Sequence, residues 1–439
     1  MELNGKRVMV VGMGASGAAA ARFLHEHDAR LVMTDLRADI PRDDLPPGEF
    51  HLGSQDAAWV RGVDLVVTSP GVPRNSILLR AAVADGIPVI GEIELASRFI
   101  TAPIVAVTGT NGKSTVVVLL GAILKAAGMR AFVGGNLGTP LVRAIGEPND
   151  AIVAEVSSFQ LEWIESFHPH VGVHLNLTDD HFDRYSGLED YGRAKARLFE
   201  NQDASDFAIL NRDDPNVWKL AQTVSSQAIG FGMSKGAPPS IWPEGSAIAF
   251  EIGEYCGKIS LEKFRLKGRH NLANAMAAAA AALALGVSSG TIQRAISEFT
   301  GLPHRIEFVR EKGGVTYIDD SKGTNVGAAV EAIDAMTPPV ILIAGGTDKG
   351  GDYTPLRRPI RERVRLAILN GAAREKMRAA LSGSTEIELV PALGDAVGRA
   401  AQAARPGDTV LLSPACSSFD QFRDYAERGN VFKNLVRAL

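Results

Sequence analysis

Ile104-Val105-Ala106-Val107-Thr108-Gly109-Thr110-Asn111-Gly112-Lys113-Ser114-Thr115 is the stretch on which the fold turns. Five strand-forming residues lead into a polar glycine turn, and the turn opens the apolar run 116–124. A continuous apolar strand feeding a helix is the repeating unit of a parallel sheet buried on both faces. The turn also carries chemistry. Backbone N–H groups of Gly109, Thr110, Asn111 and Gly112 can wrap a triphosphate at the helix start. Lys113 can reach the outer phosphates, and the Ser114 hydroxyl, beside Thr115, can complete a Mg²⁺ shell. The spacing departs from the GxxxxGK[ST] form, whose first glycine would fall on Val107, so the loop is shorter. We read it as an ATP site, the alternative being a turn with no function.

Outward from this stretch the same design recurs. Apolar runs at 7–12, 29–35, 64–69, 151–157, 207–211, 340–346 and 408–413 each end in glycine or polar residues, and helix-period segments follow. The expected class is therefore α/β with mostly parallel sheets. At roughly 150 residues per domain, a chain of 439 residues holds about three domains. Seams near 91–103 and 301–303 divide it into 1–91, 92–301 and 302–439. Residues 234–240 read as a loop, and the alternating runs 247–252 and 258–266 as a small antiparallel addition. The alanine-rich 276–285, closed by Gly286, reads as a helix packed tightly. The arginine-rich 357–378 reads as a solvated helix, with Val364, Ile368 and Leu369 at helical spacing. No fixed-period repeat occurs.

Two more glycine turns follow strands. Gly12-Met13-Gly14-Ala15-Ser16-Gly17 is a GxGxxG between strand and helix, and Asp35 closes the next strand, where a ribose-binding acid would stand. Exposed amides at a helix start favour any diphosphate. A dinucleotide, another nucleotide diphosphate, and tight packing without ligand all stay open on these residues. Gly345-Gly346-Thr347-Asp348-Lys349-Gly350-Gly351 would let Lys349 project into a cleft, or is a surface loop.

Polar clusters complete the pattern. Glu155 ends an apolar strand, a costly place for a carboxylate without a metal or partner. In 176–184, Asp179, Asp180 and His181 could hold a divalent cation, or Thr178 and Asp179 merely cap a helix. Lys195 stands among small and apolar neighbours; it is an exposed lysine or a desolvated, reactive amine. Asp319-Asp320-Ser321-Lys322-Gly323-Thr324-Asn325 and Ser413-Pro414-Ala415-Cys416-Ser417-Ser418 both follow strands, and either suits a carboxylate ligand or plain helix capping.

Composition narrows the classes further. Lysine and arginine (46) against aspartate and glutamate (50) leave a formal charge of −4, so nucleic acid and anionic membrane surfaces are not expected partners. Two cysteines, Cys256 and Cys416, offer no metal-ligand spacing and fit a reducing compartment. The apolar runs are too short to span a bilayer and the amino terminus lacks a signal-peptide core, so a cytoplasmic protein is expected.

The motifs, taken in order, resemble the Mur ligases of bacterial peptidoglycan synthesis over essentially the whole chain. They are GMGASG (12–17), SPG (69–71), VTGTNGKST (107–115), GGN (134–136), EVSSFQLE (155–162), NLTDDHFDR (176–184), YGRAKARLFEN (191–201), GRHN (268–271), GLPHR (301–305), DDSKGTN (319–325), GGTDK (345–349) and SPACSSFDQF (413–422). The GxGxxG domain together with EVSSFQLE and SPACSSFDQF is similar to the branch that adds D-glutamate to UDP-N-acetylmuramoyl-L-alanine through an acyl phosphate. The resemblance implies a Rossmann-like UDP-binding domain, a central ATPase domain and a Rossmann-like carboxy-terminal domain. It places Ala15, Ser16, Asp35, Leu36, Arg37 and Gly71 around UDP, with Asn136 and His181 along the muramoyl-peptide path. It assigns Asn271, Arg305 and Asp320 to ATP, and Lys322, Thr324, Lys349, Ser418 and Tyr425 to D-glutamate. Catalysis would fall to Lys113, Glu155, His181 and Lys195. One Mg²⁺ would sit on Ser114 and Glu155, and a second on His181 and a carbamoylated Lys195, with Mn²⁺ as a substitute. A bacterial, cytoplasmic monomer acting on small molecules is implied. A dehydrogenase reading would leave the ATP loop unexplained, and a folate ligase would not need the first domain.

Overall fold

The computed structural model describes residues 1–182, 184–266 and 268–439. Asp183, part of the run 176–184, and Lys267 lie outside the described residues. Among the described residues the strands form three sheets. They are distributed over two compact units: Met1–Asn176, Glu189–Lys263 and Ala275–Glu298 make one, and Leu177–Leu188, Phe264–Asn274 and Phe299–Leu439 the other.

The first unit holds two sheets. One is wholly parallel, in the spatial order Glu49–Leu52, Arg30–Asp35, Arg7–Val11, Leu65–Thr68, Val89–Gly91. The order reverses beside Arg7–Val11, and at such a reversal the loops part to leave a crevice at the strands' carboxyl ends. In the other sheet Ile104–Thr108 lies between Ala151–Glu155 and Val171–His174, all parallel. Its five residues are buried, so the run is apolar throughout rather than alternating. Beyond Val171–His174 the sheet continues through Phe207–Asn211, Gln227–Phe231 and Ser240–Glu244, then ends in antiparallel Ala247–Ile252 and Tyr255–Ser260. The antiparallel addition is thus present, its last strand ending at Ser260.

Residues 91–103, read as a soft seam, are firmly pinned. The Gly91 N–H donates to the Trp163 carbonyl at 2.8 Å. In the helix Glu92–Ser97 that follows, the buried Glu94 carboxylate accepts the backbone N–H groups of Glu165, Ser166 and Phe167. Glu92 is fully buried and accepts the Val142 N–H at 2.8 Å, while its second oxygen has no hydrogen-bond partner among the described residues. Burial pushes its carboxyl up to about 7 against those backbone bonds. A folded pKa above the unfolded one contributes stability present below the unfolded value of about 4.5 and lost as pH rises through about 7. Glu92→Gln is therefore expected to melt like the parent at pH 5 and a few degrees higher at pH 8, by thermal scans at both values. Equal melting at pH 8 would remove this carboxyl from the stability balance.

The second unit holds the third sheet, ordered Glu307–Lys312, Val315–Asp319, Thr409–Leu412, Val340–Gly345, Val364–Asn370, Glu386–Leu389, with only Glu307–Lys312 antiparallel. Val340, Leu342 and Ala344 pack into one apolar layer and Ile341 and Ile343 into the opposite one. Period-two alternation thus fills both faces, and each large side chain so buried stabilises by about 1.5–3 kcal/mol. The stretch 357–378 corrects the expectation of a single solvated helix. It comprises the helix Arg357–Arg363, the strand Val364–Asn370 and the start of the helix Arg374–Leu381. Val364, Ile368 and Leu369 belong to a buried parallel strand, and the arginines lie mostly in its flanking helices. Among the described residues no helix is long and apolar enough to cross a membrane.

Candidate active site

In the first unit the turn after Ile104–Thr108 is shaped by backbone geometry. Gly112 caps the helix Lys113–Ala126 at φ +86°, a left-handed conformation that a side chain would strain. Asn176 props the turn from the next strand: its carbonyl accepts from Thr110 N–H at 3.0 Å and its side chain from Asn111 N–H at 2.8 Å. The Lys113 ammonium donates to the Gly109 and Thr110 carbonyls at 2.8 and 2.9 Å. Lys195, 1% exposed in the helix Leu188–Ala196, donates to that same Gly109 carbonyl at 3.0 Å and lies 4.5 Å over the Tyr191 ring. Two ammonium groups converging on one buried turn suit a polyanion. Lys195 is therefore the desolvated lysine, not the exposed one.

Ser114 and Glu155 meet, the hydroxyl donating to one carboxylate oxygen at 2.6 Å. The Asn136 amide donates to the other oxygen at 2.7 Å, so Glu155 is buried with both oxygens engaged. A hydroxyl and a carboxylate at the mouth of a phosphate turn are the hard oxygen donors that Mg²⁺ takes, so the residues present fit that ion. His174, register partner of Thr108, is buried, and among the described residues neither of its ring nitrogens is hydrogen-bonded. Burial first, then the charges of Lys195 and Lys113, push it down to about 3, so it adds no positive charge at neutral pH.

The first glycine turn is built for close approach. A Cβ on Gly17 would stand 1.9 Å from the Gly12 carbonyl oxygen, so only glycine lets the helix Ala15–Glu26 pack against the turn. Ala15, Ser16, Asp35, Leu36 and Gly71 line one cavity of about 600 Å³ at the sheet's reversal point. Arg37 and Asn136 are not among its lining residues. Asp35 accepts from Met13 N–H at 2.7 Å and pairs with Arg37. Burial raises its carboxyl, but the Arg37 and Met13 hydrogen bonds outweigh this and hold it below the usual range.

The second unit carries the remaining predicted residues. Asn271 and Arg305 line a cavity of about 810 Å³. Asp320 is not among its lining residues. It is fully buried, accepts from Ser413 at 2.7 Å and lies 3.8 Å from Arg305, and burial lifts it to about 6. Lys322 donates to the Tyr425 hydroxyl at 2.9 Å and lies 4.4 Å over its ring. Lys349 lies 3.8 Å from Asp180, which also accepts from the Asn325 amide and sits 3.6 Å from His181. Ser418 is buried and Thr324 half-buried.

Two structural supports escaped the sequence reading. Asn176 stood in a noted motif without a role. Arg428, 3% exposed, forks into the loops carrying Lys322 and Ser418, donating to the Ser321 hydroxyl and carbonyl and the Cys416 and Ser417 carbonyls. Its place four and eight residues before buried Phe432 and Val436 was the available signal.

Comparison with known proteins converges with this geometry. Residues 6–91 match the Mur ligase MurD-like N-terminal domain, 107–282 the Mur ligase middle domain, and 304–416 the Mur ligase glutamate ligase domain. A UDP-N-acetylmuramoylalanine--D-glutamate ligase of Geobacter metallireducens is 45% identical, covering 100% of this chain and 99% of the relative. That of Geotalea daltonii is 46% identical with the same coverage. Among solved structures, a pseudomurein peptide ligase type C from Methanothermus fervidus shares the fold at TM-score 0.64 and 20% identity, covering 99% of this chain and 100% of its own. The chain belongs to the Mur ligase family.

Proposed function

We propose that the chain catalyses ATP-dependent addition of D-glutamate to UDP-N-acetylmuramoyl-L-alanine in peptidoglycan synthesis. The observation that carries this reading is the convergence of Lys113, Ser114, Glu155 and Lys195 on one phosphate turn. The full-length likeness to D-glutamate ligases supplies the substrates. The domains run 1–91 for the UDP substrate, 92–301 for ATP and 302–439 for the amino acid.

Carboxylates do not form amides unaided, because oxide is too poor a leaving group. The terminal alanine carboxylate oxygen attacks the γ-phosphorus of ATP, the bond to the bridging oxygen breaks, and ADP leaves an acyl phosphate. Lys113 and the turn amides hold the phosphates in line and offset the charge spread over the transferring group. Ser114 and Glu155 would hold one Mg²⁺, and His181 and Lys195, the latter as a carbamate, would hold a second. These ions, when bound, neutralise charge on the phosphates. The carbamate turns a desolvated amine into an anion and so fits a buried position beside a cation site.

The D-glutamate amine, its proton taken near His181, then attacks the acyl carbon, and the tetrahedral adduct expels phosphate. Lys322, Thr324, Lys349 and Ser418 hold the amino-acid carboxylates, with Tyr425 packing alongside, and Asn271, Arg305 and Asp320 serve the nucleotide. Ala15, Ser16, Asp35, Leu36, Arg37 and Gly71 seat the UDP moiety, and Asn136 and His181 the muramoyl peptide. The enzyme acts in the bacterial cytoplasm as a monomer, without nucleic acid or membrane.

The test is phosphate release from ATP with UDP-N-acetylmuramoyl-L-alanine, with D-glutamate, L-alanine, L-lysine or meso-diaminopimelate supplied separately. Release dependent on D-glutamate alone is expected. Release with a different amino acid would overturn the specificity, and silence with all four would overturn the reaction.

A further inference from the structure

Far from the phosphate turn, two histidines and two aspartates meet where two neighbouring parallel strands begin. His168 and His170 precede Val171–His174, and Asp203 and Asp206 precede Phe207–Asn211. Asp206 is 4% exposed and takes a hydrogen-bonding group on each side. Its Oδ2 lies 2.5 Å from His168 Nε2 and accepts the Asp203 N–H at 2.8 Å. Its Oδ1 lies 3.0 Å from His170 Nδ1. Asp203 is held likewise, its Oδ1 accepting the Ser205 N–H at 2.8 Å and hydroxyl at 2.6 Å. Ligand atoms of His168, Asp203 and Asp206 all lie within 4.8 Å of one another.

A lone histidine–aspartate contact would be an ordinary ion pair. This cluster has a second layer as well. Ser205 engages Oδ1 of Asp203 and His170 engages Oδ1 of Asp206, while Asp206 Oδ2 is hydrogen-bonded to His168 Nε2 and the Asp203 N–H, so an ion bound there takes the place of the proton between His168 and Asp206. Carboxylates fixed by hydrogen-bonding neighbours beside an imidazole are the supported ligand arrangement of metal sites. We propose that His168 Nε2, Asp203 and Asp206 bind a transition-metal dication of the Zn²⁺ class, with His170 orienting Asp206.

One imidazole and two carboxylates suit Zn²⁺, Co²⁺ or Ni²⁺. Mg²⁺ sheds water reluctantly and prefers oxygen alone. His168 is 43% exposed and Asp203 is exposed, which gives the ion an entry path and leaves a coordination position to water. The strand that His170 precedes ends at His174, register partner of Thr108 immediately before the phosphate turn. One strand length, roughly 13 Å, therefore separates this site from the catalytic end of the sheet. The ion clips the segment before one strand to the turn before the other, and it binds the folded chain alone. It is a structural staple, independent of the ligase reaction.

The experiment uses the full chain, stripped with chelator and kept in excess Mg²⁺, titrated with Zn²⁺ by calorimetry and followed by thermal melts, with Co²⁺ absorption as a second probe. One Zn²⁺ per chain is expected, with melting raised by a few degrees at saturation. His168→Gln and Asp203→Asn, both at exposed positions, should weaken Zn²⁺ binding at least about tenfold, and His170→Gln by about tenfold. All three should keep the Mg²⁺-supported ligation rate and the metal-free melting temperature near the parent's. Absence of binding tighter than about 0.1 mM would overturn the site. So would a Zn²⁺ affinity that is the same in His168→Gln and Asp203→Asn as in the parent.

Discussion

Lys113→Ala should lower kcat about 10³-fold or more while leaving the chain folded. The ammonium is the side-chain cation in the phosphate turn that bonds the Gly109 and Thr110 carbonyls directly. On the proposed reading, ATP binding exchanges these neutral acceptors for phosphate oxygens, whose charge grows most on the transferring group in the transition state. Removing one preorganised donor of that kind costs about 10²–10³ in rate, and loss of a full positive charge in a screened site belongs at or above the upper end. Stability responds differently, because Lys113 is half-buried at a helix start and the carbonyls it leaves lie in a turn still held by Asn176. A melting temperature within about 2 °C of the parent is expected. Lys113→Arg should not restore the rate, because a planar fork does not replace a compact ammonium among converging amides. Single-turnover phosphate transfer alongside thermal melts separates the two effects. Amide formation at the parent rate in Lys113→Ala would remove this lysine from the chemistry.

The sequence spoke most clearly where one local pattern carried the whole meaning. A five-residue apolar strand leading into Gly-Thr-Asn-Gly-Lys-Ser has few structural solutions, and the strand Ile104–Thr108, the left-handed Gly112 and the helix Lys113–Ala126 follow them. The GxGxxG turn was equally legible as geometry and silent about its ligand, because amides at a helix start do not distinguish one diphosphate from another. Reading failed where charge hid burial. Val364–Asn370 is a buried strand set between arginine-rich helices, and its apolar spacing also satisfied a helix. Short continuous runs carry no period of their own, so flanking charge decided the reading wrongly. Glu94, inside the stretch 91–103 where a seam was placed, drew no reading at all. Its five hydrogen-bonding partners come from Arg98, four residues on, and from residues 165–167, at distances along the chain that no local pattern encodes.

Arg428 shows the same blindness and supports the second large effect. Arg428→Met should destabilise the second unit by about 3–5 kcal/mol and weaken D-glutamate binding at the same time. Its guanidinium lies inside the protein at 3% exposure, and its hydrogen bonds run to carbonyls and a hydroxyl at 2.9–3.2 Å. Burial pushes it down to about 10, partly offset by Cys416 and by Asp420, Asp319 and Asp320, so it stays charged at neutral pH. Methionine fills much of the volume but donates nothing, so the Ser321 and Cys416 carbonyls lose the guanidinium in a dry setting, while the Ser417 carbonyl keeps the Thr347 N–H at 2.9 Å. Each orphaned buried acceptor costs about 1–3 kcal/mol, and loss of a buried charged donor as a whole typically costs 3–5. A fall of about 10 °C in the melting of this unit is the corresponding signal. Lysine should not rescue it, because three donors on a flexible stem cannot span two loops as the fork does. The functional consequence rests on the proposed D-glutamate site, for which one of the joined loops carries Lys322 and Thr324 and the other Ser418. With their common anchor gone, the D-glutamate KM should rise about tenfold or more, while the ATP KM, set largely at the phosphate turn, moves less. A merely structural arginine would lower melting and leave the ratio of the two KM values unchanged. Unchanged melting together with an unchanged D-glutamate KM would show that the two loops hold their places without it.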